Sequence, residues 1–487
     1  MDMRKSLALY YADANVRARM LEFLGGDSLD NVSAYYITSK TEEYVEDPET
    51  LPPRELWRCL DHQRDVGRSL WDRESLLVDL DIEYVNFDYP IQPFLLPDRV
   101  FKLQEVVERT VEKVLSRFGI RPLHLISGRG HHFVWRVGRE TPAHQRLESF
   151  GRVPDFLAGF YAAPQGRQRQ PVATATQRGW AGLALLMEYL AHLIKEEAAP
   201  ASEVPVELTA VAVGPGYLGR EMISVDISEY GDPASLRTLR LPFSAYLKPW
   251  QQREELGDRF VDRLAAMFLI PLHEMSVEQA IEVMRDSEAA AALAARVTVQ
   301  IPEQNEPMLR LIDAYASSDL ARFHNHFYEQ EHDAPAHWIE TYDLFPLHLL
   351  PPCIRRIVEC PNDLLLQPAG IAQVVRGLLA LGWHPRHIAG LIRSKYERDF
   401  GWGTRWYKEN AGIRADFYTR VFAGLVYTGR DELVDFNCQS VAERGFCLRP
   451  DPACNLVGFR ESILERRKHE RLASGPLNRL FLPGEHF

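Results

Sequence analysis

At 487 residues, with 46% hydrophobic and 25% charged residues, the chain is long enough for two or three domains with substantial cores. Its ordinary glycine and proline content excludes collagen-like, disordered and low-complexity classes, and no apolar run approaches the roughly 18 residues of a membrane span. The net charge of −12 hides an uneven distribution: residues 1–352 carry 36 Lys+Arg against 53 Asp+Glu, whereas residues 353–487 carry 20 against 15, so basic surface is expected toward the C-terminal side.

Near the start, Asp13, Arg17 and Arg19 follow a short apolar stretch. This is unlike a secretory signal, and a cytoplasmic location is expected. From about residue 30 to 250, β-rich runs alternate with helical patterns, which predicts an α+β or α/β domain. In LLVDLDIE, residues 76–83, Val78, Leu80 and Ile82 alternate with Asp79, Asp81 and Glu83, so one face of a strand is acidic. Side chains two apart lie roughly 6–7 Å from each other on that face. Hard oxygen donors so close together suit Mg²⁺ or Mn²⁺; a solvated edge strand is the alternative. Apolar spacing from Phe101 to Phe118 predicts a helix stopped by Gly119.

The next segment, HLISGRGHHFVWRV, reads as strand, turn and strand. Gly128 and Gly130 allow backbone N–H groups to approach an anion, with Ser127, Arg129 and His132 as further donors. A plain hairpin is the alternative. Trp180–Ile194 is a second predicted helix, and EMISVDISEY a strand that carries Asp226 on the face shared with Met222 and Ser224. Arg240, Ser244 and Lys248 then recur every four residues in RLPFSAYLK, a pattern suited to triphosphate or template backbone. Ser276 and Gln279 match a capping box for a helix to about Val297, and two prolines after it place the main boundary near residue 300.

The remainder is predicted to be mostly helical. Cys353, Cys438, Cys447 and Cys454 are separated by 84, 8 and 6 residues, unlike the tight pairs of zinc ribbons. Thiolates select iron–sulfur clusters or zinc, with unligated core cysteines as the alternative; Cys360 is a spare candidate. Between the first two of these cysteines, Arg393, Lys395, Arg398, Arg405, Lys408, Arg414 and Arg420 interleave with Trp402, Trp406, Tyr407 and Tyr418, a pattern suited to phosphates and stacked bases. The alternative is an amphipathic helix pair. An HNH triplet at His324–His326 lacks the surroundings of a nuclease site.

Taken in order, VDLDIEY, SGRGHH and ISVDIS resemble the three motifs of the archaeo-eukaryotic primase superfamily, and RLPFSAYLK resembles a stretch of the primase small subunit. Where that subunit usually has His, this chain has Tyr246, and of a zinc knuckle only Cys59 and His62 are available. LPPC and the later cysteines resemble the iron–sulfur domain of the primase large subunit. The resemblance implies an α+β catalytic core with an RRM-like sheet over residues 1–297, a connector over 298–345, and a mostly α-helical iron–sulfur domain over 346–487. It also implies catalytic Asp79, Asp81 and Asp226 binding two Mg²⁺ or Mn²⁺ ions. Ser127, Arg129, His132, Arg240, Ser244 and Lys248 would hold the nucleotide. Cys353, Cys438, Cys447 and Cys454 would ligate a [4Fe-4S] cluster, with zinc as the alternative, and Arg393, Lys395, Arg405, Trp406, Lys408, Arg414 and Arg420 would contact nucleic acid. The implied activity is primer synthesis and extension on single-stranded DNA from NTPs or dNTPs, with partners from replication or CRISPR-type defence systems. A repair or translesion polymerase that extends primers, and a catalytically silent nucleic-acid-binding protein, are the alternatives.

Overall fold

The computed structural model describes the chain except residues 1–2, 41–48, 71, 163–171, 210–220, 232–237, 252–256, 262–263, 265, 363–364, 366–367, 399–409, 432–437, 444–445, 448–453 and 474–487. Among the described residues the protein is mixed α+β, with two sheets. The strands are β1 (Ile37–Lys40), β2 (Glu49–Leu51), β3 (Asp65–Ser69), β4 (Ser75–Asn86), β5 (Leu123–Ile126), β6 (Gly130–Gly138), β7 (Val206–Leu208), β8 (Glu221–Asp226), β9 (Thr238–Arg240) and β10 (Ile270–Pro271). One sheet has the order β2-β1-β3-β9 and the other β10-β5-β6-β4-β8-β7. Among these strands only β7 and β8 pair in parallel.

The chain divides into two compact units. The first contains Met1–Met187, Leu193–Thr209 and Glu221–Asp313, and the second includes Glu188–His192 and Ala314–Phe487. In the first unit, β4 is long because its apolar positions are all satisfied: Val78, Leu80, Ile82 and Tyr84 are fully buried, as are Phe133 and Trp135 of β6 and Ile223 and Val225 of β8. The helix Pro97–Phe118 packs on β4 and β6. It begins on a proline, whose missing N–H is no loss at a helix start, and ends at Gly119 with φ +73°, as the sequence predicts.

One predicted helix is divided. The Ser276–Gln279 capping box forms, but the helix ends at Val283. A second helix, Ser287–Ala294, starts because the Asp286 carboxylate accepts hydrogen bonds from the N–H groups of Glu288 and Ala289. A local cap thus overrides the apolar periodicity that runs through both segments.

The second unit is helical in its described residues, with Asp319–Tyr328, Pro352–Glu359, Pro368–Ala380, Pro385–Tyr396, Ala411–Tyr427 and Leu456–Ala473 as its longer helices. Buried ion pairs join them. Arg386, fully buried, donates to Asp416 at 2.7 Å and to Glu331 at 2.9 Å. His324 is buried between Glu188 Oε2 at 3.0 Å and the Tyr315 hydroxyl at 2.9 Å, so the first histidine of the HNH triplet belongs to a core network.

Candidate active site

Strand register decides which side chains meet. Asp81 on β4 is directly opposite His132 of β6 on one side and Asp226 of β8 on the other. Opposed residues of antiparallel strands share a face, so His132, Asp81 and Asp226 form a row across three strands. Asp79 and Glu83, two residues to either side of Asp81, project from the same face. Oxygens of Asp81, Glu83 and Asp226 lie within 4.8 Å of one another. Asp79 sits deeper: its Oδ2 is 3.2 Å from His132 Nδ1, while Asp81 Oδ1 is 3.7 Å from the same nitrogen.

Asp79 lies beyond the end of β8, where a ladder partner is missing. The Tyr230 hydroxyl replaces it, accepting from Asp79 N–H at 2.9 Å and donating to its carbonyl at 2.7 Å. Tyr230, on the turn after Asp226, carries no signal in the sequence that marks it for this role. Glu83 is a further site residue beyond those the motifs indicate, and its place in the same alternation is the signal for it.

The electrostatics are those of a crowded anionic row. Burial, with Glu83, Asp79 and Asp226 adding to it against the pull of His132, raises the Asp81 carboxyl well above the usual range. Burial also disfavours a charged His132, but Asp81 and Asp79 overcome it and lift the imidazole to about 9. Asp79 Oδ1 and Asp81 Oδ1 are buried with no hydrogen-bond partner among the described residues. Orphaned carboxylate oxygens converging with Glu83 and Asp226 fit divalent cations bound through oxygen.

The turn beside this row carries cations. Ser127 and Gly130 close it, with Ser127 N–H donating to Gly130 O at 2.8 Å. A Cβ on Gly130 would stand 1.9 Å from the Ile82 carbonyl oxygen, and one on Gly128 would stand 3.0 Å from the Tyr246 ring. Arg129 donates through one nitrogen, Nη2, to both carboxylate oxygens of Glu83 at 2.6 and 2.7 Å. This pair, with Lys248 and His132, holds Glu83 down at about 2 in spite of burial. Arg240 pairs with Asp65 at 2.6 and 3.0 Å and lies 4.5 Å over the Tyr246 ring. Lys248 has no ion pair among the described residues, and burial together with Arg129 and Arg240 lowers its ammonium to about 8. Ser244 is placed differently: it is buried and its hydroxyl donates to Leu241 O at 2.7 Å, a turn contact.

In the second unit Cys353 is buried, Cys438 and Cys447 are half-buried, and Cys454 and Cys360 are exposed; all are free thiols. Burial, then the neighbouring Cys454 and Cys447, push the Cys353 thiol up to about 11, so both lie within electrostatic reach of Cys353, although no three of these sulfurs converge within 4.8 Å of one another among the described residues. Of the basic residues, Arg420 is buried and bound to Glu188 and Tyr328. Arg393 pairs with Glu397 at 2.6 Å, Lys395 lies 3.5 Å from Asp343, and Arg414 lies 4.9 Å over the Tyr418 ring. Arg405, Trp406 and Lys408 lie outside the described residues. No protein-family model, no curated protein and no solved structure matches this chain.

Proposed function

We propose that the first unit is the catalytic part of a primase-polymerase, a nucleotidyltransferase that builds and extends primers on single-stranded DNA. The observation that carries this reading is the row His132–Asp81–Asp226 across β6, β4 and β8, bordered by Arg129 and Lys248. A carboxylate cluster next to a cationic turn separates the two demands of phosphoryl transfer, cation binding and phosphate binding. Asp81 and Asp226, with Asp79 and Glu83 at the borders, would hold Mg²⁺ or Mn²⁺. Two such ions would supply the charge that lowers the pKa of a primer 3′-hydroxyl and stabilises departing pyrophosphate.

The chain's own groups have separable tasks. His132, protonated at neutral pH, is held by Asp79 and can donate to a phosphate oxygen. Arg129 is oriented by Glu83, and Lys248 is the cation free to meet a triphosphate. Tyr246 stands against Gly128 and Arg240, so its ring shapes the turn where the resembled subunit has His. An RRM-like core belongs to this same proposal, as do template binding by the second unit and a [4Fe-4S] cluster on Cys353, Cys438, Cys447 and Cys454. What supports a shared ion or cluster there is that Cys447 and Cys454 both come near enough to Cys353 to raise its thiol.

The test is synthesis on unprimed single-stranded DNA with Mg²⁺ or Mn²⁺ and mixed NTPs and dNTPs. Short products that vanish in Asp79→Ala/Asp81→Ala are expected. Extension only of an added primer would refute priming, and no incorporation by the wild type under either regime would refute the enzyme. For the cysteines, anaerobically purified protein should be brown, with a broad visible band lost in Cys353→Ser; a colourless protein with stoichiometric zinc would refute the cluster.

A further inference from the structure

A second group of ligating side chains lies on the back of the same sheet, where the site in front makes no use of it. His131 and His132 are neighbours on β6 and therefore point to opposite faces. On the back face, His131 Nδ1 is 3.0 Å from Nε2 of His124 on β5. Glu108 reaches the pair from the helix Pro97–Phe118, and one donor atom from each of the three lies within 4.8 Å of the others. Glu108 and His131 are buried, and the His124 side chain is 14% exposed, which leaves an entry for a small ion.

A proton shared between the two rings would satisfy one nitrogen of each. It would do nothing for the Glu108 carboxylate, which has no hydrogen bond or ion pair among the described residues and faces further negative charge from Glu112 and Glu105. Burial and those two neighbours lift Glu108 to about 7. Burial meanwhile keeps both imidazoles neutral, with His124 down at about 3, the state in which a ring nitrogen offers its lone pair. A dication would satisfy all three groups together. Zn–N distances of about 2.0–2.1 Å put two nitrogens of a tetrahedral site roughly 3.4 Å apart, close to the separation already present. Two imidazoles and a carboxylate are a donor set that zinc accepts, with water completing the tetrahedron. Glu112 Oε1, 3.9 Å from His124 Nδ1, is positioned to orient that ring from outside.

We propose that Glu108, His124 and His131 form a zinc site that fastens β5, β6 and the helix Pro97–Phe118 together behind the acidic face. Its role is to brace the Ser127–His132 turn. It is independent of the polymerase reading, because nothing in it depends on Asp79, Asp81 or Asp226.

The experiment uses the full chain. Bound zinc is counted by mass spectrometry in the wild type, Glu108→Gln, His124→Asn and Asp81→Asn/Asp226→Asn, after dialysis against a weak chelator. One equivalent should be lost in each of the first two variants and kept in the third. Equal zinc in the wild type, Glu108→Gln and His124→Asn would overturn the site. Should the back-face variants fail to fold, the wild type decides: its zinc X-ray absorption should contain a shell of nitrogen and oxygen ligands, and cobalt-substituted protein a visible band free of thiolate charge transfer. Zinc with sulfur ligands only, or no bound zinc, would overturn it equally.

Discussion

Replacing Asp81 by Asn should make the metal-free protein more stable while removing most of the stability gained from divalent cations. Asp81 and Asp226 offer oxygens within 4.8 Å of each other, and like charges at that distance, in an effective dielectric of about 20, repel by about 3.5 kcal/mol. Arg129 compensates Glu83, but the one His132 charge is shared by Asp81 and Asp79, so the row keeps a repulsion on Asp81 to which Asp226 contributes. Asp226 is partly exposed, and screening brings the net to roughly 2 kcal/mol. For a unit of this size that corresponds to a midpoint about 4–8 °C higher in EDTA. Saturating Mn²⁺ should then stabilise the wild type by about 2–3 kcal/mol at a hundredfold excess over Kd, and the variant by much less, so that the order of the two midpoints closes or inverts. Differential scanning calorimetry with and without Mn²⁺ reads both effects. An Asp81→Asn protein that melts at or below the wild type in EDTA, or gains as much from Mn²⁺, would refute the claim that these carboxylates are mutually strained until a cation joins them.

Lys248, lowered to about 8, binds phosphate only when protonated, so the KM for nucleotide should rise as pH climbs through 8. Lys248→Met should raise KM at neutral pH and flatten that rise, with the change in kcat smaller than the change in KM; an unaltered KM profile would exclude a phosphate contact. Glu188 is held at about 2 because Arg420 and His324 outweigh burial. A carboxyl depressed in this way contributes stability above its unfolded value of about 4.3, and loses it as pH falls toward 2. Glu188→Gln should therefore cost about 3 kcal/mol at neutral pH, since Arg420 is left buried and unpaired, and its stability should fall less steeply between pH 4.3 and 2 in urea titrations. Gly130→Ala should destabilise by roughly 3 kcal/mol and Gly128→Ala by about 1 kcal/mol, because the first added methyl group meets backbone and the second an aromatic edge; equal melting points would contradict that contrast.

The alternation in LLVDLDIE and EMISVD was sufficient to predict two strands, and to say which face of each holds carboxylates. It could not say that Asp81 would oppose both His132 and Asp226, because register is set by pairings between segments that lie far apart in sequence. Tyr230 was invisible for the same reason: its hydroxyl matters only because the pairing with β8 stops at Asp81, two residues short of Asp79. The divided helix after Ser276 failed differently. Both halves carry good apolar spacing, and a single aspartate at the junction is a small signal inside a long pattern. Arg420 reads as a nucleic-acid contact in a basic, aromatic-rich stretch, yet the fold buries it against Glu188, a partner 232 residues away that composition cannot announce.

The balance of charge around the turn bears on how an anionic ligand would be received. Arg129 and Arg240 each enter the site already matched to a carboxylate, Glu83 and Asp65, so their positions are fixed before any ligand arrives. A phosphate that approaches them meets oriented donors whose net charge is largely cancelled, which favours geometry over raw attraction. Lys248 is the exception, since burial and two guanidinium neighbours outweigh the pull of Glu83 and Asp81 and press it toward neutrality. An incoming phosphate would restore its charge, so the loss of nucleotide affinity around pH 8 should arise at this residue, with a further loss around 9 from His132. Lys248→Arg keeps a charge that does not titrate near 8, so nucleotide affinity in that variant should stay level across the same range. If the fall around pH 8 persists unchanged in Lys248→Arg, the group that titrates there is not Lys248 and this residue is not the phosphate contact; a fall centred near 9 belongs to His132.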